Sequence, residues 1–374
     1  ARVNEANGLS RTRAAQRPLP EIERPLGRIV IRPARLYDGL SDRYLDAPDI
    51  VLEGGRIVAV EPRRERPGEV VIDVTDLTVL PGMLDAWARL PDDTDPSLGP
   101  LLLAFGVTTM VVDREVEELN AIWSGKDVPG PRLLRAIAAT EPVESASDPW
   151  LAHVSAELGN ADELSAGVAA WQEHGVAVLA EGWQVGISTG AGLVLGWDNR
   201  PPSPGGLRYD DQLVAARRGT ITYVSGLADA GTSNVLSIWE ARPAEFLSLQ
   251  PELGNRFASR RDLLAVAADV VLGSRTNGMP PGMATHAELR ALVDSGLSPP
   301  QAFRAAGVNP ATALGLGLTV GRVAPGAEAD LVLVDGDPLS DVSDALNIVA
   351  IVRNGRFYSM SGLLDRHHKA ESVE

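Results

Sequence analysis

The fold is decided by one short stretch of the sequence, Val79-Leu80-Pro81-Gly82-Met83-Leu84-Asp85. This stretch separates two kinds of sequence pattern. Upstream of it, alternating apolar segments flank tight-turn residues, which is typical of β-hairpins. Downstream of it, short apolar runs alternate with helical stretches, which indicates a parallel sheet with crossover helices. We therefore predict that a β domain passes into an α/β domain at this point.

Two hairpin patterns lie near opposite ends of the chain. Gly54-Gly55 and Asn354-Gly355 each separate two apolar segments, and residues of these types readily adopt the positive φ of a tight turn. Since hairpins at both ends enclose a different kind of sequence, we predict one small β-sandwich domain built from both termini.

The segment between the hairpins has the length of an eight-stranded α/β barrel. Thr78 to Val320 is 243 residues, close to the ~250 residues typical of a (β/α)8 barrel. Capping boxes at Thr285–Glu288 and Ser298–Gln301 predict two helix starts near its end. The predicted organisation is a lead-in (1–25), a β-sandwich domain (26–78 and 321–362), a distorted or shortened (β/α)8 barrel (79–320), and a C-terminal tail (363–374).

Charge and composition exclude several classes of protein. The formal net charge is −16, which argues against nucleic-acid binding because phosphate affinity depends on Lys and Arg. No apolar run reaches the ~20 residues of a membrane span. There is no cysteine and there are five histidines, so thiolate metal sites and cysteine nucleophiles are excluded. Because the chain starts at Ala1 and not at Met, an exported or periplasmic location and a cytoplasmic one both stay open.

Several ordered motifs resemble those of the amidohydrolase superfamily, in particular its imidazolonepropionase- and prolidase-like branch. The resemblance extends from about residue 29 to 358. It rests on the segments 34–39, 50–60, 71–85, 106–109, 130–132, 296–302, 309–311, 321–332 and 337–339. The resemblance implies a (β/α)8 barrel that carries one or two divalent metals at its C-terminal mouth. In such a site a metal-bound water attacks an amide, lactam, imide or ester carbonyl.

The sequence departs from this family at the positions that the resemblance assigns to metal ligands. The two histidine positions after Asp85 carry Trp87 and Arg89. The segment 175–180 matches the fourth barrel strand best and places Ala180 where a lysine is implied. The aspartate position of the eighth strand carries Arg275, and residues 175–285 contain no histidine. Since indole cannot ligate a metal and guanidinium is a permanent cation, we predict no metal and no cofactor.

The replacing residues form a candidate site at the barrel mouth. Strands eight and one are neighbours in a closed barrel, so we expect Arg275 and Arg89 to lie side by side next to Trp87. One interpretation is that these arginines pair with Asp113 and Glu181 and fill the pocket. The other is that the guanidinium groups replace the metal and bind a carboxylate or phosphate.

The sequence thus predicts a catalytically degenerate, metal-free amidohydrolase-like protein with no catalytic residue at the family positions. We expect it to serve as a structural or regulatory subunit in a homo- or hetero-oligomer, for instance with an active amidohydrolase. Two alternatives stay open: an active C–N bond hydrolase with an atypical or relocated site, and a binder of an anionic small molecule at the barrel mouth. Whether the chain is an enzyme is left open by the sequence.

Overall fold

The computed structural model describes residues 27–143, 149–195, 221–226, 269–275 and 282–371. The predicted lead-in over 1–25 lies outside these residues. The strands are β1 (Ile29–Leu36), β2 (Leu45–Asp46), β3 (Pro48–Glu53), β4 (Arg56–Pro62), β5 (Val70–Pro81), β6 (Met83–Ala88), β7 (Val107–Val112), β8 (Arg132–Ala138), β9 (Leu151–Val154), β10 (Ala177–Glu181), β11 (Leu193–Leu195), β12 (Thr222–Val224), β13 (Val270–Val271), β14 (Leu331–Val334), β15 (Ile348–Arg353) and β16 (Arg356–Ser359). The helices are α1 (Leu98–Ala104), α2 (Glu117–Trp123), α3 (Ala161–Glu173), α4 (Trp183–Thr189), α5 (Met283–Asp294), α6 (Pro299–Ala305), α7 (Val308–Ala313) and α8 (Met360–Glu371).

Strands from both ends of the chain form one mixed sheet. Its order is β16-β15-β14-β5-β1-β3-β4, with β2 paired to β1. The N-terminal strand β5 pairs with the C-terminal strand β14 in antiparallel register, so the two ends of the chain meet in the middle of the sheet. This confirms the β-rich domain built from both termini.

The two predicted hairpins are present, and their turn residues have the expected backbone conformation. β3 pairs with β4 across Gly54-Gly55, and β15 pairs with β16 across Asn354-Gly355. All four turn residues have positive φ, between 51° and 87°. Both hairpins therefore use turns that match the right-handed twist of the flanking strands.

The junction between the two domains depends on the absence of a side chain at Gly82. β5 ends at Pro81 and β6 begins at Met83. A Cβ atom on Gly82 would lie 2.2 Å from Oγ1 of Thr108, at the start of the neighbouring strand β7. Only glycine fits where the chain leaves the β domain and enters the second sheet.

The second sheet is a parallel barrel. The strands β6 to β13 pair in sequence order. Backbone hydrogen bonds from Ala86 N to Leu272 O and from Arg275 N to Trp87 O, both 2.9 Å, join the last strand to the first. One buried apolar residue from each strand lines the interior: Leu84, Val111, Leu134, Leu151, Leu179, Leu193, Val224 and Val271. This confirms the predicted (β/α)8 fold.

Two local expectations differ from the structure. Thr285 does not cap a helix, because α5 begins two residues earlier and Thr285 lies buried inside it. The capping box at Ser298 is present as predicted. Residues 360–371, which include most of the expected tail, form α8, and Nδ1 of His367 lies 2.8 Å from the carbonyl oxygen of Ser97.

In the part of the chain that the structure describes, no helix is both long enough and apolar enough to cross a membrane.

Candidate functional site

The candidate site lies at the end of the barrel where the parallel strands have their carboxyl termini. Because β6 to β13 run in the same direction, the residues at and after these termini meet at one mouth. The polar and aromatic side chains at this mouth are Trp87 from β6, Arg89 after β6, Asp113 after β7, His153 from β9, Glu181 from β10 and Arg275 after β13.

The structure corrects the numbering of two barrel strands. The fourth strand is β9, which contains His153, and the segment predicted as the fourth strand is β10, the fifth. β9 has only four residues, and the polar histidine interrupts its apolar run, so the sequence pattern does not reveal it. The comparison of Ala180 with the implied lysine of strand four was therefore wrong, and Glu181 ends strand five.

An ion pair crosses the mouth from strand eight to strand five. Nη1 of Arg275 contacts Oε2 of Glu181. The main chain holds Arg275 in place, because its N–H donates to the carbonyl oxygen of Trp87 on strand one. The Arg275 side chain is 39% exposed and that of Glu181 is 15% exposed. This pair therefore lies at the boundary between the barrel interior and solvent.

His153, Asp113 and Trp87 form a second group of side chains at the mouth. Nε2 of His153 lies 3.2 Å from Oδ2 of Asp113. The imidazole also packs against the Trp87 indole, with ring centroids 5.1 Å apart. His153 is the main cause that lowers the pKa of Asp113; partial burial opposes this effect, and the charges of Arg275 and Arg89 add to it.

Three buried nitrogen atoms of this group lack hydrogen bonds. The indole Nε1 of Trp87 and both ring nitrogens of His153 have no aligned hydrogen-bond partner among the residues that the structure describes. His153 and Asp113 are close enough for an ion pair, but their geometry does not give a directed hydrogen bond. The mouth thus contains polar atoms that the described protein surface leaves unsatisfied, which costs about 1–3 kcal/mol for each such group.

Arg89 is the remaining predicted site residue. It follows β6, its side chain is exposed, and no ion pair joins it to any carboxylate in the described part of the chain. Its charge contributes to the lowered pKa of Asp113. The structure therefore brings all five predicted residues to one end of the barrel but pairs only Arg275 directly with Glu181.

Asp85 was identified only as part of a fold motif, and the structure gives it a structural role beneath the mouth. Its carboxylate is fully buried and accepts hydrogen bonds from the N–H of Ser274 at 3.0 Å, the N–H of Trp87 at 3.2 Å and the hydroxyl of Thr285 at 2.8 Å. Burial raises the pKa of Asp85, and these hydrogen bonds oppose the rise. Asp85 joins strand one, the segment after strand eight and α5.

The residues at the mouth do not fit the divalent metal that the resemblance implies. Among the described residues, no group of three His, Cys, Asp or Glu side chains is placed to hold a metal ion. Arg275 already neutralises Glu181, and Arg89 adds a permanent positive charge. The indole N–H of Trp87, which has no partner among the described residues, is a donor and requires an acceptor, not a cation.

Comparisons with known proteins agree with this fold. The model of the Amidohydrolase family matches residues 254–357. A search of curated protein sequences finds no match.

Solved structures of similar fold cover nearly the whole chain. A putative prolidase from Bifidobacterium longum has a TM-score of 0.68 and 19% identity, and the match covers 94% of this chain and all of that one. A Xaa-Pro dipeptidase with methionine bound in its active site has a TM-score of 0.66 and 18% identity, and the match covers 89% of this chain and 100% of that one. Molinate hydrolase has a TM-score of 0.69 and 15% identity, and the match covers 90% of this chain and 95% of that one. The resemblance to amidohydrolases is thus confirmed, by fold along the chain and by sequence near its C-terminal end.

Proposed function

We propose that this chain is a metal-free amidohydrolase-like protein that does not catalyse the hydrolysis typical of its fold. We propose further that it acts as a structural or regulatory subunit, either with copies of itself or with an active amidohydrolase.

The observation that carries this proposal is the Arg275–Glu181 ion pair at the mouth. Metal-assisted hydrolysis requires a cation that generates hydroxide near neutral pH and polarises the carbonyl. A guanidinium can donate hydrogen bonds to an oxygen, but it cannot give up a proton at neutral pH and does not bind water as a metal does. With Trp87 and Arg89 at the positions where the resemblance implies histidines, no described group supplies both effects.

An activity assay tests whether the chain catalyses hydrolysis. The purified chain is assayed on Xaa-Pro dipeptides, amides and lactams, with and without a chelator. We expect no hydrolysis above the buffer rate under either condition. Hydrolysis that a chelator abolishes would support the alternative of an active enzyme with a relocated site.

The subunit role is tested separately. Native mass spectrometry of the chain, alone and co-expressed with amidohydrolases of the same source, should give a mass above the 39.6 kDa of one chain. A chain that stays monomeric and never co-purifies with an amidohydrolase would contradict this part of the proposal.

A second candidate function is binding of a small anion at the mouth. It is favoured by the exposed guanidinium of Arg89 and the indole N–H of Trp87, neither of which has a partner among the described residues. Both groups are donors, which suits a carboxylate or phosphate. A thermal-shift screen with carboxylates and phosphates, repeated on Arg89→Gln and Arg275→Ala, tests this function. A stabilising anion whose effect is lost in both variants would favour it over the scaffold role.

A further inference from the structure

A cavity of about 430 Å³ lies between the β domain and the barrel, at the end opposite the mouth. The turn between β3 and β4 and the turn between β15 and β16 form one wall. The other wall comes from the C-terminal end of α2 and from Arg132, the first residue of β8. Its volume lies within the ~300–1,000 Å³ of small-molecule sites.

Positive charge predominates in this cavity. Arg56, Arg132 and Arg353 line it. Two carboxylates compensate part of this charge: Arg132 contacts Glu328, and Nη1 of Arg353 lies 3.2 Å from Oδ1 of Asp330. Arg132 also lies within 3.7 Å of Asp330. Two of the three arginines thus suffice to neutralise both carboxylates.

Arg56 is the arginine that this ion-pair network does not use. Its Nη1 donates to the carbonyl oxygen of Gly326 at 3.0 Å, and no carboxylate of the described residues lies within ion-pair distance of it. A purely structural network does not need this third guanidinium, and the remaining donors of Arg56 are available to a ligand. The chain as a whole has a net charge of −16, so this concave site, with more arginines than carboxylates, differs in charge from the rest of the protein.

A second guanidinium that lines the cavity also keeps part of its donor capacity unused. The Nε of Arg353 is buried and has no hydrogen-bond partner among the described residues. Guanidinium groups present donors in a fixed fork that matches carboxylate and phosphate oxygens. Arg353 uses Nη1 for Asp330, so its donor capacity is only partly satisfied.

We propose that this interdomain cavity binds a small anion with carboxylate or phosphate groups, and that Arg56 is its principal contact. Such a ligand would touch turns of the β domain and the start of a barrel strand simultaneously. Since it would bind only the folded, docked arrangement of the two domains, its binding would raise the stability of the chain. This site is separate from the mouth, and its existence does not depend on the function proposed above.

Isothermal titration calorimetry of the full chain tests this proposal with four probes: inorganic phosphate, pyrophosphate, citrate and succinate. The key variant is Arg56→Gln. Arg322→Gln is its matched control, because Nε of Arg322 also donates to a backbone carbonyl, that of Leu318, and Arg322 does not line the cavity. Arg89→Gln separates the cavity from the mouth. Comparing the Kd values of the two phosphate probes with those of the two carboxylate probes shows which kind of anion the site prefers.

We expect at least one probe to bind wild type, Arg322→Gln and Arg89→Gln with equal Kd, and to bind Arg56→Gln about tenfold more weakly because one charged hydrogen bond is lost. The melting temperature of ligand-free Arg56→Gln should match that of the Arg322→Gln control, which excludes a folding defect. Equal Kd values for Arg56→Gln and wild type, loss of binding in Arg89→Gln instead, or no binding of any probe up to about 10 mM would overturn the proposal.

Discussion

Asp49 in the β domain and Glu181 at the barrel mouth are both carboxylates held by arginines, but their surroundings differ. Asp49 is fully buried and accepts hydrogen bonds from Arg32 at 2.7 Å and Arg66 at 3.1 Å. Arg66 in turn binds Glu61 at 2.6 Å. Burial raises the pKa of Asp49, but the bonds from Arg32 and Arg66 outweigh it and hold the pKa below its usual range.

At the mouth, the Arg275–Glu181 pair is partly exposed, and the buried nitrogens of Trp87 and His153 beside it lack partners among the described residues. The cluster of Asp49, Arg32, Arg66 and Glu61, here called the β-domain cluster, therefore contributes to folding. The mouth, in contrast, carries polar groups that do not stabilise the fold. Unsatisfied polar groups are typical of positions where a protein serves something other than its own stability. This difference predicts that substitutions in the two regions have unequal effects on stability.

Asp49→Ala should lower the free energy of unfolding by about 3–5 kcal/mol, because it removes the fully buried carboxylate that pairs with both Arg32 and Arg66. Urea denaturation measures the effect. Glu53→Ala is the control, since Glu53 forms an exposed pair with Arg28 and solvent screening should make its loss far less costly. Equal losses in the two variants would show that the β-domain cluster is not a buried network.

Asp85→Asn should make stability less sensitive to pH. The folded-state pKa of Asp85 is raised, so the folded state binds more protons than the unfolded state between the ordinary aspartate pKa of ~3.9 and the raised value. Asp85 therefore makes wild type lose stability as pH rises through this window, and the variant lacks this contribution. The stability of Asp85→Asn relative to wild type should increase with pH by about 1.4 kcal/mol per unit of pKa shift. Urea titrations at several pH values measure this; a constant difference would contradict it.

Trp123→Phe should cost about 1–2 kcal/mol more than Trp87→Phe. Both indoles are buried, but Nε1 of Trp123 donates to the carbonyl oxygen of Pro96 at 2.9 Å, whereas Nε1 of Trp87 has no partner in the described part of the chain. The two variants lose similar ring volume, so their difference in thermal or urea denaturation isolates the hydrogen bond. A larger loss in Trp87→Phe would mean that this N–H is satisfied in solution.

Arg275 and Glu181 should be only weakly coupled. A double-mutant cycle with Arg275→Ala and Glu181→Ala should give a coupling energy below about 1 kcal/mol, because solvent screens a pair whose arginine is 39% exposed. The corresponding cycle for Asp49 and Arg66 should give a value several times larger. Equal coupling energies in the two cycles would remove the contrast between the regions.

Those parts of the fold that depend on local signals were predictable from the sequence. Turn residues with positive φ mark both hairpins, and the length between them fits the barrel. The fourth strand was not predictable, because β9 is four residues long and has His153 within it. β11, β12 and β13 have two or three residues each, which is too short for a periodic pattern, and only pairing with their neighbours defines them.

The composition of the mouth was predictable, but most of its contacts were not. Arg275 and Glu181 were recognised because each follows an apolar run, and parallel strands bring such positions to one end. His153 was missed as a mouth residue together with its strand. The hydrogen bond between Thr285 and Asp85 joins residues 200 positions apart, so no local sequence pattern predicts it. In the sequence, Thr285 resembles a helix cap instead.

Elemental analysis tests most directly whether the barrel mouth holds a metal, which we propose it does not. The purified chain is incubated with zinc or manganese, dialysed, and analysed by inductively coupled plasma mass spectrometry. The Arg275–Glu181 pair and the positive charge of Arg89 predict a metal content far below stoichiometric and an unchanged melting temperature after chelator treatment. Stoichiometric zinc or manganese that a chelator removes, with a fall in stability, would contradict the account.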